Sequence, residues 1–264
     1  MKTTAATVLM ALCIPAACHA VDLPQTIQTK DAFTISLPAD WVAFPKDALD
    51  NFTTALTKLA PKAARQTYDY GFQLPMKKHW FEYPYILVQV KRAGRVSDAQ
   101  LKSIKRVEQD VKQGVDQARD SYSSVVSNAQ VGETVYEPAT HILWIRIAMD
   151  VQKVGTIKGV SASVLTEEGV IIISGYALAA DFDQYAPVFE AIARSTVVAD
   201  DLKYRPHFTD SLPLSGRINW GLVLRAALIG AIAGCLPAAI IFLSKLRRKK
   251  KTGAGPGNGS GFSS

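Results

Sequence analysis

Apolar residues recur along the chain with two alternating periods, one typical of strands and one typical of helices. A period of two predicts two strands over residues 26–38, two over residues 68–92 and three over residues 142–178. A period near 3.6 predicts helices after Pro45, after Ser97 and near residues 182–192. The order ββ-α-ββ-α-βββ-α indicates an α/β (α+β) fold, an antiparallel β-sheet with helices on both faces in an α/β/α sandwich.

Local signals predict the limits of several elements. Ser97 and Gln100 form a capping-box pattern at the start of the longest helix. Residues 166–169 predict a turn with Gly169 in the left-handed position, and the continuously apolar Val170–Ile173 predicts a central strand covered on both faces. Residues 200–219 have no apolar periodicity, and we interpret them as a stalk.

The C-terminal apolar run predicts a membrane anchor. Gly221 to Leu243 is interrupted only by Arg225, and at about 1.5 Å per residue it can cross about 30 Å of hydrocarbon. We expect one transmembrane helix over residues 220–244, with a buried core helix as the alternative. Positive charge stays on the cytoplasmic side, so the basic cluster that follows predicts a cytoplasmic tail over residues 245–264. The cluster consists of Lys245, Arg247, Arg248, Lys249, Lys250 and Lys251.

The N-terminus has the pattern of a secretory signal peptide over residues 1–20. A short apolar run follows Lys2, and small residues occupy the recognition positions for cleavage after Ala20. Lipidation of Cys18 and an uncleaved anchor are the alternatives. The two ends together predict a single-pass protein of a bacterial inner membrane, with residues 21–199 as an exported, periplasmic domain.

Charge and cysteine usage agree with that topology. The chain has a net charge of +7, but Lys2, Arg225 and the six tail residues account for eight of its 30 Lys and Arg. The remaining 22 basic residues are balanced by 23 acidic residues, so the net charge of the exported domain is near zero. Nothing in this charge balance predicts nucleic-acid binding. All three cysteines lie in the signal or the apolar run, which leaves the domain without a disulfide or a thiol nucleophile.

Both ends of the predicted domain resemble those of the PsbP/Mog-like domains. The opening FTISLPADWVAFP matches a strand, an LP pair, a Trp and a helix, and the closing GYALAADFDQYAPVFEAIARSTVV matches a strand, a helix and a short strand. The resemblance implies an α/β/α sandwich with a binding or assembly-support role rather than catalysis. Because the anchor departs from the best-known members, an extrinsic photosystem subunit and a Ran-binding factor, their partners do not transfer to this chain.

Catalytic motifs are lacking in the sequence. It contains no nucleophile elbow, no H-E-x-x-H, no P-loop and no dinucleotide fingerprint. His79, Glu82 and Asp69 make a mixed metal site only if folding gathers them, and His141 or His79 joins a Ser-His-Asp arrangement only if folding positions it. We expect no catalytic residue, no metal and no cofactor.

Two contact surfaces are predicted. One segment between strands predicts an exposed loop for protein or ligand contact, with core packing of its aromatic residues as the alternative. Its residues are Lys77, Lys78, His79, Trp80, Phe81 and Tyr83. Small residues in the apolar run predict a helix–helix contact that supports a homodimer. They are Ala226, Gly230 and Gly234.

Three functions follow from these features. The first is a non-catalytic interaction or accessory module that supports a protein partner in the cell envelope. The second is a domain that binds or senses a small apolar ligand held between sheet and helix, and a deep apolar pocket is its signature. The third is a hydrolase with an unrecognised site, which requires convergent polar groups with perturbed pKa values.

Overall fold

The computed structural model describes residues 21–75, 79–97, 104–207 and 220–237 of the chain. The strands are β1 (Gln25–Gln28), β2 (Phe33–Leu37), β3 (Val42–Ala43), β4 (Tyr70–Gln73), β5 (Tyr85–Lys91), β6 (Val126–Glu137), β7 (Ile142–Val151), β8 (Gly155–Thr166), β9 (Gly169–Leu178) and β10 (Val197–Val198). The helices are α1 (Lys46–Leu59), α2 (Ile104–Ser121), α3 (Phe182–Arg194) and α4 (Trp220–Gly234).

Seven strands form the central antiparallel sheet, in the order β3-β4-β5-β9-β8-β7-β6. A small antiparallel sheet of β1, β2 and β10 and helix α3 cover one face. Helices α1, α2 and α4 cover the other face. The predicted mixed α/β fold, with an antiparallel sheet between two covering layers, is confirmed.

Alternate residues of the central strands point into two separate cores. On β5, Tyr85 and Leu87 face α1, α2 and α4, whereas Ile86 and Val88 face α3 and the small sheet. The run Val170–Ile173 lies in β9, which pairs with β5 on one side and β8 on the other. This double pairing and double covering explain why the run is apolar throughout.

The predicted turn before β9 is confirmed, and it depends on glycine. Gly169 has a φ of +152°, and a Cβ at this position would collide with the carbonyl oxygen of Lys91. A side chain is therefore excluded both by the backbone conformation and by the close approach of the neighbouring strand. The predicted capping box at Ser97 lies partly outside the described residues.

Several elements differ from the prediction. The predicted elements lack β6, a twelve-residue strand whose side chains are mostly half-buried or exposed and which pairs with β7 alone. A polar edge strand with two register shifts gives little apolar alternation, which explains the omission. The first residues of the predicted stalk pack against the domain, since Tyr204 is buried in the core and its hydroxyl donates to the Val96 carbonyl. The rest of the stalk stays a prediction.

The predicted membrane span begins in α4, which packs along α2 and against β9. Within the described part of the chain, no helix is both long enough and apolar enough to cross a membrane. Residues 238–244 of the predicted span lie outside the described residues. So do the predicted signal peptide (residues 1–20), the predicted tail (245–264) with its six basic residues, and residues 208–219.

Candidate functional site: a tyrosine-lined groove that holds a helix

The most distinctive feature of the molecule is the groove that holds α4, which we call the tyrosine groove. Its floor is formed by β5 and β9, one side by α2, and the other side by the chain at residues 66–68. Four tyrosines line it. They are Tyr68, Tyr83, Tyr85 and Tyr176. Seven apolar residues of α4 are buried in it. They are Leu224, Ala227, Leu228, Ile229, Ala231, Ile232 and Ala233.

Each tyrosine hydroxyl donates to a backbone carbonyl at the C-terminal end of α4. Tyr68 donates to Gly230 over 2.7 Å and Tyr176 donates to Ala231 over 2.8 Å. Tyr85 and Tyr83 donate to Gly234 and Cys235, over 2.7 Å and 2.6 Å. Ala231 and Gly234 are among the last four residues of α4, whose carbonyls lack the usual partner inside a helix, so at these two the hydroxyls replace water. Gly230 lies just before those four residues and Cys235 just after the helix, so Tyr68 and Tyr83 bind the main chain on either side of them. The groove thus binds the end of the helix through its main chain.

The tyrosines remain neutral donors. Burial raises the pKa of Tyr68, Tyr83, Tyr85 and Tyr176 well above the ordinary value, because the phenolate form is costly away from water. The raised pKa values therefore reflect structural burial and do not indicate a catalytic base at neutral pH.

Glycines on α4 let the helix lie close to the floor of the groove. A Cβ on Gly230 would overlap the side-chain oxygen of Gln89, and one on Gly234 would overlap the hydroxyl of Tyr176. These two glycines were predicted to face a second helix across a dimer. Their described contacts within the chain are with Gln89 and Tyr176, and the third predicted position, Ala226, is half-buried. The helix–helix contact between two copies stays a prediction.

Helix α2 completes the groove. Gly114 of α2 lies against Leu228, so that a Cβ on Gly114 would lie 3.2 Å from the Leu228 Cβ. Arg225, which interrupts the apolar run, forms an ion pair with Asp110 of α2 over 2.9 Å. Both charged side chains are partly exposed, so this pair adds orientation rather than much stability.

The predicted contact loop divides between surface and core. Trp80 is 39% exposed and its ring stands edge-on to Phe44, and His79 is also exposed. Phe81 departs from the expected exposure, because it is buried among Phe44, Phe52 and other core rings. Tyr83 belongs to the tyrosine groove, and Lys77 and Lys78 lie outside the described residues.

Nothing in the described part of the chain gathers groups for metal binding. No cluster of three or more His, Cys, Asp or Glu residues is present there, so His79, Glu82 and Asp69 are not brought together as a metal site. His141 packs its ring against Tyr204 at the edge of the sheet. Cys235 is buried beneath the tyrosines, where a substrate has no access.

A second concavity lies between α2 and β6. It is an open cleft of about 500 Å³ with a mixed lining that includes Glu108, Lys112, Asp116 and Gln130. Its charged rim does not fit the deep apolar pocket expected for a small apolar ligand. The space between helices and sheet that the ligand hypothesis required is filled by α4.

The groove tyrosines were not predicted as a set. Tyr83 and Tyr85 lie two residues apart in the sequence, which indicates a shared face, but Tyr68 and Tyr176 come from distant segments. The β5–β9 pairing places Tyr176 opposite Tyr85, and the β4–β5 pairing brings the chain that precedes β4, with Tyr68, beside β5. A sequence pattern carries no signal for that convergence.

No family model matches the sequence, and no curated protein matches it. The fold is similar to the solution structure of cyanobacterial PsbP (CyanoP) from Synechocystis sp. PCC 6803, with 13% identity over 66% of this chain and 91% of that chain and a TM-score of 0.42. It is also similar to LpqN, involved in cell envelope biogenesis of Mycobacterium tuberculosis, with 12% identity, 66% and 90% coverage and a TM-score of 0.34. The PsbP-type resemblance expected from the sequence recurs in the first of these neighbours, and it concerns the fold alone.

Proposed function

We propose that this chain is a non-catalytic accessory module of a bacterial cell envelope, and that it acts by binding a protein partner. The observation that carries the proposal is the set of four tyrosine hydroxyls directed at the main chain of one apolar helix. Such an array binds and orients a polypeptide, but it offers no nucleophile, no acid–base pair and no metal ligand.

The sequence supports an envelope location. A signal-type N-terminus, an apolar run from Gly221 to Leu243 and a basic cluster after it are the features of an exported domain with a C-terminal anchor and a cytoplasmic tail. The first part of that anchor is α4, so the same residues have two environments available to them, the groove and the bilayer.

Topology reporters test the location. Alkaline phosphatase inserted after His207 should be active, and a fluorescent protein fused after Ser264 should fluoresce, since the first requires export and the second requires the cytoplasm. The reverse pattern, or export of both ends, contradicts the proposed anchor.

Crosslinking in the native cell tests the interaction role. A photoreactive residue at Trp80, which is 39% exposed in the predicted contact loop, should crosslink to one dominant envelope protein. Val197, which is 64% exposed on the opposite layer, provides the matched control and should give no specific product. Identical product patterns at the two positions would remove the support for a partner surface at this loop.

A further inference from the structure

We propose that the tyrosine groove is a binding site for an apolar, transmembrane-type helix of a partner protein, and that α4 is the chain's own competitor for that site. This inference rests on the proposed function, because it names the chemistry of the partner at the same site. It adds an exchange: α4 leaves the groove for the bilayer when a partner helix enters.

The groove recognises features that many helices share. All four tyrosine hydroxyls donate to main-chain oxygens, those of Gly230, Ala231, Gly234 and Cys235. Main-chain carbonyls occur on every helix and on the residues that follow it, whatever the side chains, and those of the last four helix residues lack a partner inside the helix. A helix from another chain therefore satisfies the same four donors.

Small residues select among those helices. Gly230 and Gly234 sit where any side chain would overlap Gln89 or Tyr176, so the groove accepts a helix with small residues four positions apart. That spacing recurs in membrane helices, where small residues let backbones approach closely. The partner is therefore defined as an apolar helix that carries small residues four positions apart.

A polypeptide helix suits the groove better than a lipid chain does. The floor of the groove holds buried hydroxyl donors, and a donor left without an acceptor away from water is costly. The length of an acyl chain carries no acceptors, so it leaves those hydroxyls unsatisfied. A helix end and the residue that follows it supply main-chain acceptors for all four hydroxyls, as residues 230–235 do here.

The exchange is physically accessible. Leu228, Ile232 and other apolar side chains of α4 are buried in the groove, but lipid tails are as apolar as leucine, so transfer to the bilayer changes their hydrophobic burial little. Tyr204 is the last core-buried residue among those described before α4, and a connection of twelve residues, 208–219, reaches at most about 40 Å at full extension. A tethered helix nevertheless competes strongly, because a short tether gives an effective concentration in the millimolar range.

Peptide binding to the full-length chain in lipid nanodiscs tests the proposal. The probe is a fluorescent peptide with the sequence of residues 216–237, in three forms: native, Gly230→Leu, and the matched control Ala226→Leu. The receiving protein carries Gly230→Leu in its own α4, which disfavours self-docking and leaves the groove residues intact. We expect the native and Ala226→Leu peptides to bind this variant protein at least about tenfold more tightly than they bind the wild-type protein. The Gly230→Leu peptide should bind the variant protein at least about tenfold more weakly than the native peptide does.

A second protein keeps the test decisive if the Gly230→Leu chain does not fold. Gly114→Cys with Leu228→Cys, in a chain whose native cysteines are replaced, closes a disulfide that holds α4 in the groove. Reduction should then increase native-peptide binding at least about fivefold in the same folded protein. Equal binding of native and Gly230→Leu peptides, or equal binding before and after reduction, would overturn the proposal.

The topology reporters separate this inference from the proposed function. If the reporters give the expected topology while the peptides show no selection, the exchange is wrong and the anchored module stands. If the peptides show the expected selection but the domain is not exported, the groove binds helices and the envelope location is wrong. If the Gly114→Cys, Leu228→Cys protein forms a disulfide between two copies, the groove binds α4 of a second copy. That result would overturn the proposal that the partner is a different protein.

Discussion

Replacing Tyr176 with phenylalanine removes one hydroxyl from the floor of the tyrosine groove and leaves the ring in place. Tyr176 is fully buried, and its hydroxyl donates to the Ala231 carbonyl over 2.8 Å. The backbone amide of Cys235, four residues on, donates to Ile232 instead. Apart from a long contact of 3.6 Å from the Cys235 thiol, the Ala231 carbonyl therefore depends on the tyrosine for its partner.

The size of the effect follows from the unpaired carbonyl. A buried polar group left without a partner costs about 1–3 kcal/mol. The remaining thiol contact places Tyr176→Phe in the lower half of that range, about 1–2 kcal/mol. In a domain of this size, each 1 kcal/mol lowers Tm by about 2–4 °C, so we expect a decrease of about 2–8 °C.

Differential scanning calorimetry of the full-length chain in detergent micelles measures this decrease. Tyr185→Phe is the matched control, because Tyr185 is only partly buried on α3 and its hydroxyl has no hydrogen-bond partner among the described residues. The control should change Tm by less than about 1 °C. If Tyr176→Phe also changes Tm by less than about 1 °C, its hydroxyl does not bind α4 and the account of the groove is wrong.

Three other predictions concern the same fold. Gly175→Ala should destabilise the domain by about 2 kcal/mol, because a Cβ there would overlap the Phe189 ring, and Phe189→Leu should restore part of the loss in a double-mutant cycle measured by denaturant unfolding. Above pH 10 the groove tyrosines lose their protons in the unfolded chain but keep them in the folded one, because burial raises their pKa. The free energy of unfolding should therefore fall with rising pH by up to about 1.4 kcal/mol per pH unit for each of the four tyrosines. Absorbance at 295 nm should show that these four ionise only when the protein unfolds. Hydrogen bonds from Arg194 lower the pKa of Glu137 from 4.5 to about 2. Glu137→Gln should therefore lower the free energy of unfolding by about 1 kcal/mol near pH 6, and by progressively less as the pH falls from 4.5 toward 2. A loss of stability that does not change with pH would contradict the ion pair.

The sequence predicted most of the sandwich because its strands are covered on both faces. In β7, Ile145, Ile147 and Met149 were predicted to share one apolar side of the strand, and that side faces α2. The apolar run at Val170 marked the central strand for the same physical reason, since β9 has neighbours at both edges. Edge strand β6 was not predicted, because a strand with one partner and an exposed face needs no apolar repeat.

The site was harder to predict. The glycines at 230 and 234 were predicted as a close-contact face, and within the chain the structure shows close contact there with side chains of β5 and β9. Sequence spacing shows that a surface admits close approach and says nothing of what approaches. The tyrosines were missed because their convergence depends on long-range strand pairing.

Disulfide trapping of α4 in its groove tests the central claim most directly. Cysteines at Gly114 and Leu228 would have Cβ atoms about 3.2 Å apart, near the range that a disulfide requires. The control pair at Gly132 and Arg146 joins β6 to β7 with a Cβ separation of 3.4 Å and does not involve α4. In oxidised full-length protein the account predicts that both pairs close within one chain in comparable yield. Closure of the control pair alone would show that α4 does not occupy the tyrosine groove, and it would contradict the account.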